Sequence, residues 1–339
     1  MRLLLCGDVH WSTHSSILNE RGERYSKRLE CLIDSIDWVE NVAVDRKVDK
    51  IIYLGDFFDK SSLTSEELSA LAEVEWRKDI PHVFIVGNHE GSNADLSYNS
   101  ATAMAGAGFK VISQASYDED DESVFYLPYV IESNRKPLAE YLDGRKPKLI
   151  LSHNDLAGID YCGFETKDGF SINEITENCG LFVNGHLHNC GTYANKKIID
   201  IGNITGQNFN EDGFRYKHHV IIIDTESLGF EYVDNPTAMN FHKGTYEELK
   251  PKFDKLSNAV LSISVKQADF DGAKAELEGM KDSGVVLAYR LHLEREIQNE
   301  SAVANIAEKA DYLGEFKKFV LNEIGSSDLV KEELSEVLK

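Results

Sequence analysis

Aspartate, histidine and asparagine recur in five short motifs of this 339-residue chain, and these residue types bind divalent metal ions. In chain order the motifs are Gly7-Asp8-Val9-His10, Gly55-Asp56-Phe57-Phe58-Asp59, Gly87-Asn88-His89-Glu90, His153, and Gly185-His186-Leu187-His188. The predicted metal ligands are Asp8, His10, Asp56, Asn88, His153, His186 and His188. This set contains imidazole, carboxylate and amide groups but no sulfur, which disfavours a structural zinc site. It suits Mn²⁺, with Fe²⁺ or Zn²⁺ as alternatives.

Two cations held side by side by these motifs would support phosphoester hydrolysis. A carboxylate such as Asp56 can bridge two cations about 3.5–4 Å apart, and such a pair binds phosphate oxygens and activates a water for in-line attack. His89 is not needed as a ligand, so a protonated His89 could stabilise the developing charge or protonate the leaving group. Asp59 is predicted to support the ligands without binding a metal itself.

The spacing inside the motifs has a physical reason. Asp8 and His10 are two residues apart, and on an extended segment such side chains point the same way and can grip one ion. His186 and His188 have the same spacing, and a twisted turn would send one imidazole to each ion. A single such motif is common by chance. Five of them, each following an apolar run, favour a metal site over a purely structural role.

The apolar run before each motif is typical of a strand covered on both faces. The runs are Leu3–Cys6, Ile51–Leu54, Val83–Val86, Leu149–Ser152 and Leu181–Asn184, and further strands are predicted over Lys197–Ile201, His219–Asp224 and Gly229–Val233. Apolar residues at helical spacing predict helices from about Arg24 to Val44 and from Thr64 to Trp76. This alternation predicts an α/β layered domain with the ligands at one edge of its sheet, where the strands have their carboxyl ends.

A domain boundary is predicted near Pro236, where the sequence reads Asp-Asn-Pro-Thr. A strand (Val260–Val265), a helix (Asp271–Lys281) and a strand (Val285–His292) follow and could cap the catalytic face. Apolar stripes after Asn299 predict C-terminal helices, which either pack on their own domain or bind a partner. The predicted domains are therefore residues 1–235, 236–299 and 300–339.

The overall composition is that of a soluble globular protein, with 42% hydrophobic and 28% charged residues. The net charge of −22 opposes non-specific binding to nucleic acid, although two bound cations can invert the field locally. No apolar run approaches the roughly 18 residues that a membrane span requires, and the amino-terminal run is too short for a signal peptide. We therefore expect a cytoplasmic protein without a membrane partner. The acidic run Asp118–Glu122 is predicted to be a solvated loop.

With these five motifs, the sequence resembles the calcineurin-like metallophosphoesterase superfamily over about residues 1–235. The resemblance implies a two-sheet αββα sandwich. It implies one metal on Asp8, His10, Asp56 and His188, and a second on Asp56, Asn88, His153 and His186. It also implies that His89 contacts the scissile phosphate.

Within that superfamily, the chain is similar to the SbcD-type nucleases of double-strand-break repair, including their short phage forms. Residues 55–59 match the G-D-x-F-D phrase of these nucleases, the unit after Pro236 is similar to their DNA-capping domain, and the tail from Asn299 resembles the segment that docks on an SbcC-type coiled-coil ATPase. The resemblance implies a Mn-dependent DNA exonuclease and endonuclease subunit of an SbcCD-type complex. It would act on DNA ends as a homodimer, with an ATPase partner bound through the C-terminal helices.

Two departures from the family pattern are present. The sequence reads Gly-Asn-Ile-Thr-Gly over residues 202–206, where the family often has Gly-Ser/Thr-Pro, and Glu90 stands where Asp is common. A stand-alone metallophosphatase or small-molecule phosphodiesterase is the alternative function, favoured by the acidic charge. A catalytically silent scaffold subunit is a weaker alternative, because the full ligand set and His89 are present.

Overall fold

The computed structural model describes residues 1–15, 17–18, 20–92, 96–161 and 164–294. Nearly all of these residues belong to the compact unit Met1–His292. The strands, in chain order, are β1 Arg2–Cys6, β2 Lys50–Tyr53, β3 His82–Ile85, β4 Lys110–Ile112, β5 Ser116–Tyr117, β6 Val124–Leu127, β7 Leu149–Ser152, β8 Leu156–Ala157, β9 Asp160–Tyr161, β10 Phe164–Glu165, β11 Phe170–Ser171, β12 Leu181–Asn184, β13 Gly191–Tyr193, β14 Ile198–Asp200, β15 His219–Asp224, β16 Phe230–Asp234, β17 Asn240–Thr245, β18 Ala259–Val265 and β19 Val286–Leu293.

The α-helices, in chain order, are α1 Lys27–Arg46, α2 Ser65–Leu71, α3 Thr102–Gly106, α4 Leu138–Tyr141, α5 Ile172–Asn178, α6 Tyr246–Leu249 and α7 Phe270–Asp282. Short 3₁₀ helices cover Glu132–Asn134, Lys250–Lys255 and Gln267–Asp269. Helix α1 is capped by Ser26, whose side chain accepts a hydrogen bond from the Leu29 amide. Helix α2 begins with a capping box between Thr64 and Glu67.

Two six-stranded sheets form the larger part of the unit. The first has the order β16-β15-β1-β2-β3-β4, and β1 to β4 run parallel. The second has the order β13-β14-β12-β7-β6-β5, and its four central strands, β14, β12, β7 and β6, run parallel. Helices connect the successive parallel strands of the first sheet, and also β6 to β7 and β7 to β12 of the second, whereas β12 reaches β14 through the strand β13.

The two sheets pack face to face, because each central strand presents apolar side chains on both of its faces. Leu3 and Leu5 of β1 join one buried cluster with Leu149 and Leu151 of the second sheet. Leu4 of β1 points the other way, into a cluster with α1 and α2. Helices α4 and α5 cover the outer face of the second sheet. This arrangement is the predicted αββα sandwich, so the fold class is confirmed.

A small third sheet, with the order β17-β18-β19, follows the sandwich. Its strands β18 and β19 and helix α7 match the predicted strand-helix-strand unit. Strand β17 was not predicted, because its sequence is mostly polar and contains Gly244. It forms by pairing in parallel with β18 along its whole length. The predicted domain limits stay predictions, and the tail of residues 300–339 lies outside the described residues.

Three expectations need correction. The ligand-bearing strands are divided between two sheets, β1, β2 and β3 in one and β7 and β12 in the other, so the site is not at one edge of a single sheet. The predicted second helix ends at Leu71, and Trp76 lies beyond it, with its ring packed against Tyr53 and Phe84. The acidic run is not fully solvated: Asp118 is 2% exposed and pairs with the buried amino group of Lys50 at 2.6 Å. Within the part of the chain that is described, no helix is long and apolar enough to cross a bilayer.

Candidate metal centre

The carboxyl ends of five central strands, three from the first sheet and two from the second, meet at one place and carry the predicted ligands there. His153 follows β7 of the second sheet, and its Nδ1 lies 2.6 Å from the carbonyl oxygen of Leu54, which follows β2 of the first sheet. A carbonyl oxygen can only accept, so His153 Nδ1 carries the proton and Nε2 is free to bind a metal. The contact also joins the two sheet edges at the site.

A first group of ligand atoms comes from Asp8, His10 and His188, which offer one atom each within 4.8 Å of one another. The Nε2 atoms of His10 and His188 lie 3.0 Å apart and face each other. These side chains come from the ends of β1 and β12, which lie in different sheets. The group matches the non-bridging members of the first predicted metal set.

A second group comes from Asp56, His153 and His186, again within 4.8 Å of one another. The Asn88 side-chain oxygen lies 3.1 Å from His153 Nε2 and 3.0 Å from His186 Nδ1. Asp56 Oδ2 lies 3.2 Å from His153 Nε2. The structure therefore brings all four residues of the second predicted set together.

Asp8 connects the two groups. Its carboxylate accepts a hydrogen bond of 3.1 Å from the His186 backbone amide, and Oδ1 lies 3.8 Å from His153 Nδ1. All seven predicted ligands thus form one cluster, in which Asp8 and Asp56 are 0% and 2% exposed. Their role as metal ligands stays a prediction.

The chemistry of the donor set fits a pair of divalent cations. Metal-binding histidines usually donate their second ring N–H to a carboxylate or carbonyl, which fixes the ring and its tautomer. Each predicted histidine ligand has such a partner: His10 with Asp59 at 3.1 Å, His188 with Glu211 at 2.9 Å, His186 with Asp155 at 2.9 Å, and His153 with the Leu54 carbonyl. Asp59 therefore lies behind His10, and its supporting role stays a prediction.

Backbone strain is concentrated at the same place. His10, Asp56 and His186 have positive φ values of 50°, 45° and 76°, which residues other than glycine rarely adopt. Strained conformations persist where the surrounding structure holds them, and they cluster at functional sites. Three of the seven predicted ligands thus have a strained backbone conformation, which is typical of functional sites.

The glycines before the ligands leave room for the cluster. Gly55 has φ +91°, and a Cβ atom there would lie 2.3 Å from the His153 ring. A Cβ atom at Gly87 would lie 2.2 Å from Asp56 Oδ1. Both positions require the close approach that only glycine permits.

Glu90 holds the turns that carry Asp56 and Asn88. Its buried carboxylate accepts hydrogen bonds from the backbone amides of Asp56 (3.1 Å), Phe58 (3.0 Å) and Gly87 (2.6 Å). Burial, together with the nearby Asp56 charge, raises the pKa of Glu90 to about 8. Glu90, which stands where Asp is common in the family, therefore fixes the backbone around Asp56 and Gly87 through these hydrogen bonds.

The charges of Asp56 and His153 depend on each other. Burial alone would raise the pKa of the Asp56 carboxyl, but the adjacent His153 outweighs burial and lowers it. Burial would lower the pKa of His153, yet the carboxylates around it, first of all Asp56, raise it to about 10. The Asp56 carboxyl is thus held in the charged form that metal binding needs, whereas a metal ion on His153 would have to displace its second ring proton.

His89 lies at the mouth of the cluster, with its side chain 40% exposed. Its Nδ1 donates to the Asp59 carbonyl oxygen at 2.9 Å, and its ring stands edge-on to His10 with centroids 4.7 Å apart. Its Nε2 lies 3.9 Å from Asp56 Oδ2. His10, Asp59 and His89 also offer one ligand atom each within 4.8 Å of one another, so His89 lies next to the predicted ligands and faces the open side of the cluster.

Four residues near the site were not singled out from the sequence: Asp155, Glu211, Arg28 and Gln207. Asp155 is two residues after His153, so a His-x-Asp pattern could have indicated it. Arg28 is 3% exposed and donates to the His10 carbonyl oxygen and to the Gln207 side-chain oxygen. Nothing local in the sequence marks Glu211, Arg28 or Gln207, because their partners are distant along the chain.

The family comparison agrees with this geometry. The model of the family described as calcineurin-like phosphoesterase matches residues 1–190, which is more than half of the chain. The chain belongs to the calcineurin-like phosphoesterase family. As a calcineurin-like phosphoesterase it is a metal-dependent phosphoester hydrolase.

This phosphoesterase is similar to 79 chains of solved structures. One is described as a novel archaeal phosphodiesterase; it is 11% identical, covers 69% of this chain and 99% of its own, and superposes with a TM-score of 0.35. No curated protein sequence matches the chain.

Proposed function

We propose that this calcineurin-like phosphoesterase is a Mn²⁺-dependent DNA exonuclease and endonuclease. It would be the nuclease subunit of a cytoplasmic SbcCD-type repair and recombination complex. The observation that carries the proposal is the single cluster of all seven predicted ligands with His89 at its mouth. Two Mn²⁺ ions bound there would polarise a phosphodiester and activate the attacking water.

The side chains have separate tasks in this proposal. Asp8, His10, Asp56 and His188 would hold one ion, and Asp56, Asn88, His153 and His186 the other, with Asp56 shared. His89 has its Nδ1 proton committed to the Asp59 carbonyl, so Nε2 is the atom that meets the substrate. A proton on Nε2 would stabilise the phosphate oxygens or pass to the leaving oxygen.

The presence of the small sheet favours DNA, rather than a small molecule, as the substrate. The sheet is hydrogen-bonded to a loop of the phosphoesterase domain, through Gly206 N–H to Met239 O and Gly213 N–H to Phe241 O, both at 2.9 Å. A small-molecule enzyme has no evident need for such an added unit. The net charge of −22 makes DNA binding by this subunit alone weak, so a partner ATPase on residues 300–339 and a second copy of the chain are part of the proposal.

The test uses purified full-length protein, Mn²⁺ and double-stranded DNA at low salt, with and without an SbcC-type ATPase. We expect cleavage that the ATPase stimulates and that Asp8→Ala and His89→Ala abolish. Glu226→Ala, in the exposed turn after β15, is the control outside the predicted ligands and the small sheet and should behave as wild type. Inactivity on DNA, together with rapid hydrolysis of 4-nitrophenyl phosphate, would instead support the stand-alone phosphatase that the acidic charge favours.

A further inference from the structure

A cavity of about 290 Å³ lies beside the metal centre. Its lining includes Leu96 on one side and the turn after β6, represented by Tyr129 and Val130, on the other. Tyr129 belongs to both places, because it lines the cavity and its ring centroid is 5.8 Å from that of His186. The cavity and the predicted second metal set therefore share a wall.

The position of Tyr129 is fixed by the strands that carry the ligands. Its backbone N–H donates to the Val86 carbonyl oxygen at 3.0 Å, directly before the Asn88 motif. The next amide, of Val130, donates to the Asn154 side-chain oxygen at 2.8 Å. Asn154 follows the predicted ligand His153 directly in the sequence. Two hydrogen bonds therefore hold Tyr129 and Val130 against the segments that carry the predicted ligands Asn88 and His153.

The Asn154 side chain holds this turn in place, and all its hydrogen bonds are internal. The side chain is 2% exposed, and its amide nitrogen donates to the carbonyl oxygens of Leu127 (3.3 Å) and Pro128 (2.9 Å) and to the Ser152 hydroxyl (2.9 Å). A buried and fully bonded amide of this kind defines one backbone conformation. The turn from Leu127 to Val130 is thus preorganised.

The cavity walls combine flat apolar surface with hydrogen-bonding groups. Tyr129 and Tyr141 supply aromatic rings and Leu96 supplies aliphatic surface, while Asn134 and Lys136 add an amide and a cation. A nucleobase has the same division, with apolar faces and polar edges, and bases of single-stranded nucleic acid stack on aromatic side chains. A phosphomonoester without a planar group would leave the aromatic walls unused.

We propose that this cavity binds the nucleobase next to the scissile phosphate, with Tyr129 stacked on the base. The inference rests on the proposed function, because the phosphate must lie on the predicted metal ligands. A base in the cavity is unstacked from its neighbours, which selects chain ends and single-stranded positions as cleavage sites. Tyr129 is then a determinant of where the chain is cut.

The test compares two short single-stranded oligonucleotides that differ by one abasic residue, at low salt with Mn²⁺. Wild type should cleave beside the intact base roughly 5- to 150-fold faster than beside the abasic residue, the range expected from base–aromatic stacking. Tyr129→Ala should remove this ratio and Tyr129→Phe should keep it. Tyr232→Ala, a partly exposed tyrosine on β16, is the matched control and should also keep it. Equal wild-type rates, or a ratio that survives in Tyr129→Ala, would overturn the proposal.

A binding measurement separates this proposal from the proposed function. A nucleotide carrying 2-aminopurine should lose fluorescence on binding to wild type and to Tyr129→Phe, and keep it with Tyr129→Ala. If neither oligonucleotide is cleaved, the nuclease function fails, and quenching that depends on Tyr129 would still support the base site. Absence of that quenching would reject the base site as well.

Discussion

Glu211 Oε1 lies 2.9 Å from Nδ1 of His188, a predicted metal ligand 23 residues earlier in the chain. Glu211 is 3% exposed, and its carboxylate also accepts hydrogen bonds from the Asn203 side chain and the Gln207 backbone amide. The same loop is hydrogen-bonded to Phe241 of β17 through Gly213 and to Met239, directly before β17, through Gly206. Glu211 therefore joins the orientation of a metal ligand to the placement of the small sheet.

Replacing Glu211 with Gln should weaken metal binding without unfolding the protein. The substitution keeps the shape but removes the charge that orients His188, and loss of such a partner typically lowers metal affinity about 10–100-fold. Calorimetric titration of the metal-free protein with Mn²⁺ measures the effect. Glu226→Gln, in the exposed turn after β15, is the control. Wild-type affinity in Glu211→Gln would show that the contact does not position His188.

Replacing His89 with Gln should slow hydrolysis by about 10²–10⁴-fold, the usual contribution of a general acid. Mn²⁺ affinity should stay at its wild-type value, because His89 Nε2 faces the substrate and contributes no atom to either predicted metal set. Rates on a phosphodiester and a parallel Mn²⁺ titration together separate the two effects. A large loss of Mn²⁺ affinity would instead make His89 a ligand.

Metal removal should lower both activity and stability. Two cations bound only by the folded chain stabilise it, and a ligand at 100 times its Kd contributes about 2.7 kcal/mol per site. We therefore expect a chelator to abolish hydrolysis and lower Tm, and Mn²⁺ to restore both. Asp56→Asn, which removes the bridging charge, should lose most of the Mn²⁺-dependent rise in Tm. An equal rise in wild type and Asp56→Asn would contradict a shared carboxylate.

Replacing Gly55 with Ala should lower the free energy of unfolding by more than the strained backbone alone would, and it should also lower the affinity for Mn²⁺. The φ of +91° costs a non-glycine residue about 1–2 kcal/mol, and the new Cβ would also press on the His153 ring at 2.3 Å. Gly108→Ala is a matched control, because Gly108 has φ +93° with nothing within 4 Å of the added Cβ. Urea unfolding should show a larger loss for Gly55→Ala, and Mn²⁺ affinity should fall only there. Equal losses would mean that His153 moves freely.

The buried pair of Lys50 and Asp118 should make stability depend on pH. Burial would raise the pKa of Asp118, but the Lys50 ammonium outweighs burial and lowers it. The folded pKa is then below the unfolded value of about 3.9, so the stabilisation is complete above that pH and is lost as the pH falls through the folded pKa.

Removing the charge of Asp118 tests this directly. Asp118→Asn leaves the Lys50 charge buried and should cost about 3–5 kcal/mol at pH 7, as measured by urea unfolding. Asp120→Asn removes the other partner of Lys50, whose side chain is 69% exposed, and should cost less than about 1 kcal/mol. The difference between wild type and Asp118→Asn should shrink below about pH 4. Similar costs for both variants would mean that burial of the pair is unimportant.

The residue types and their local order were enough to predict the central strands of the sandwich and the polar motifs that follow them. Uninterrupted apolar runs, each followed by a polar motif, indicated strands such as β1 and β7 and the ligands at their ends. That information is local, because a strand buried on both faces shows as a continuous apolar run and a ligand directly follows it. The αββα arrangement came from the resemblance rather than from the pattern itself.

Apart from Asp59, only the tertiary structure decided which buried polar side chains pair with one another. Glu211, Arg28 and the buried pair of Lys50 and Asp118 have no local signature, because each depends on a partner from another strand or loop. The polar strand β17 likewise forms because β18 offers it a full parallel ladder. Pairing between distant segments depends on how the sheets pack, so it cannot be predicted from the periodicity of one segment.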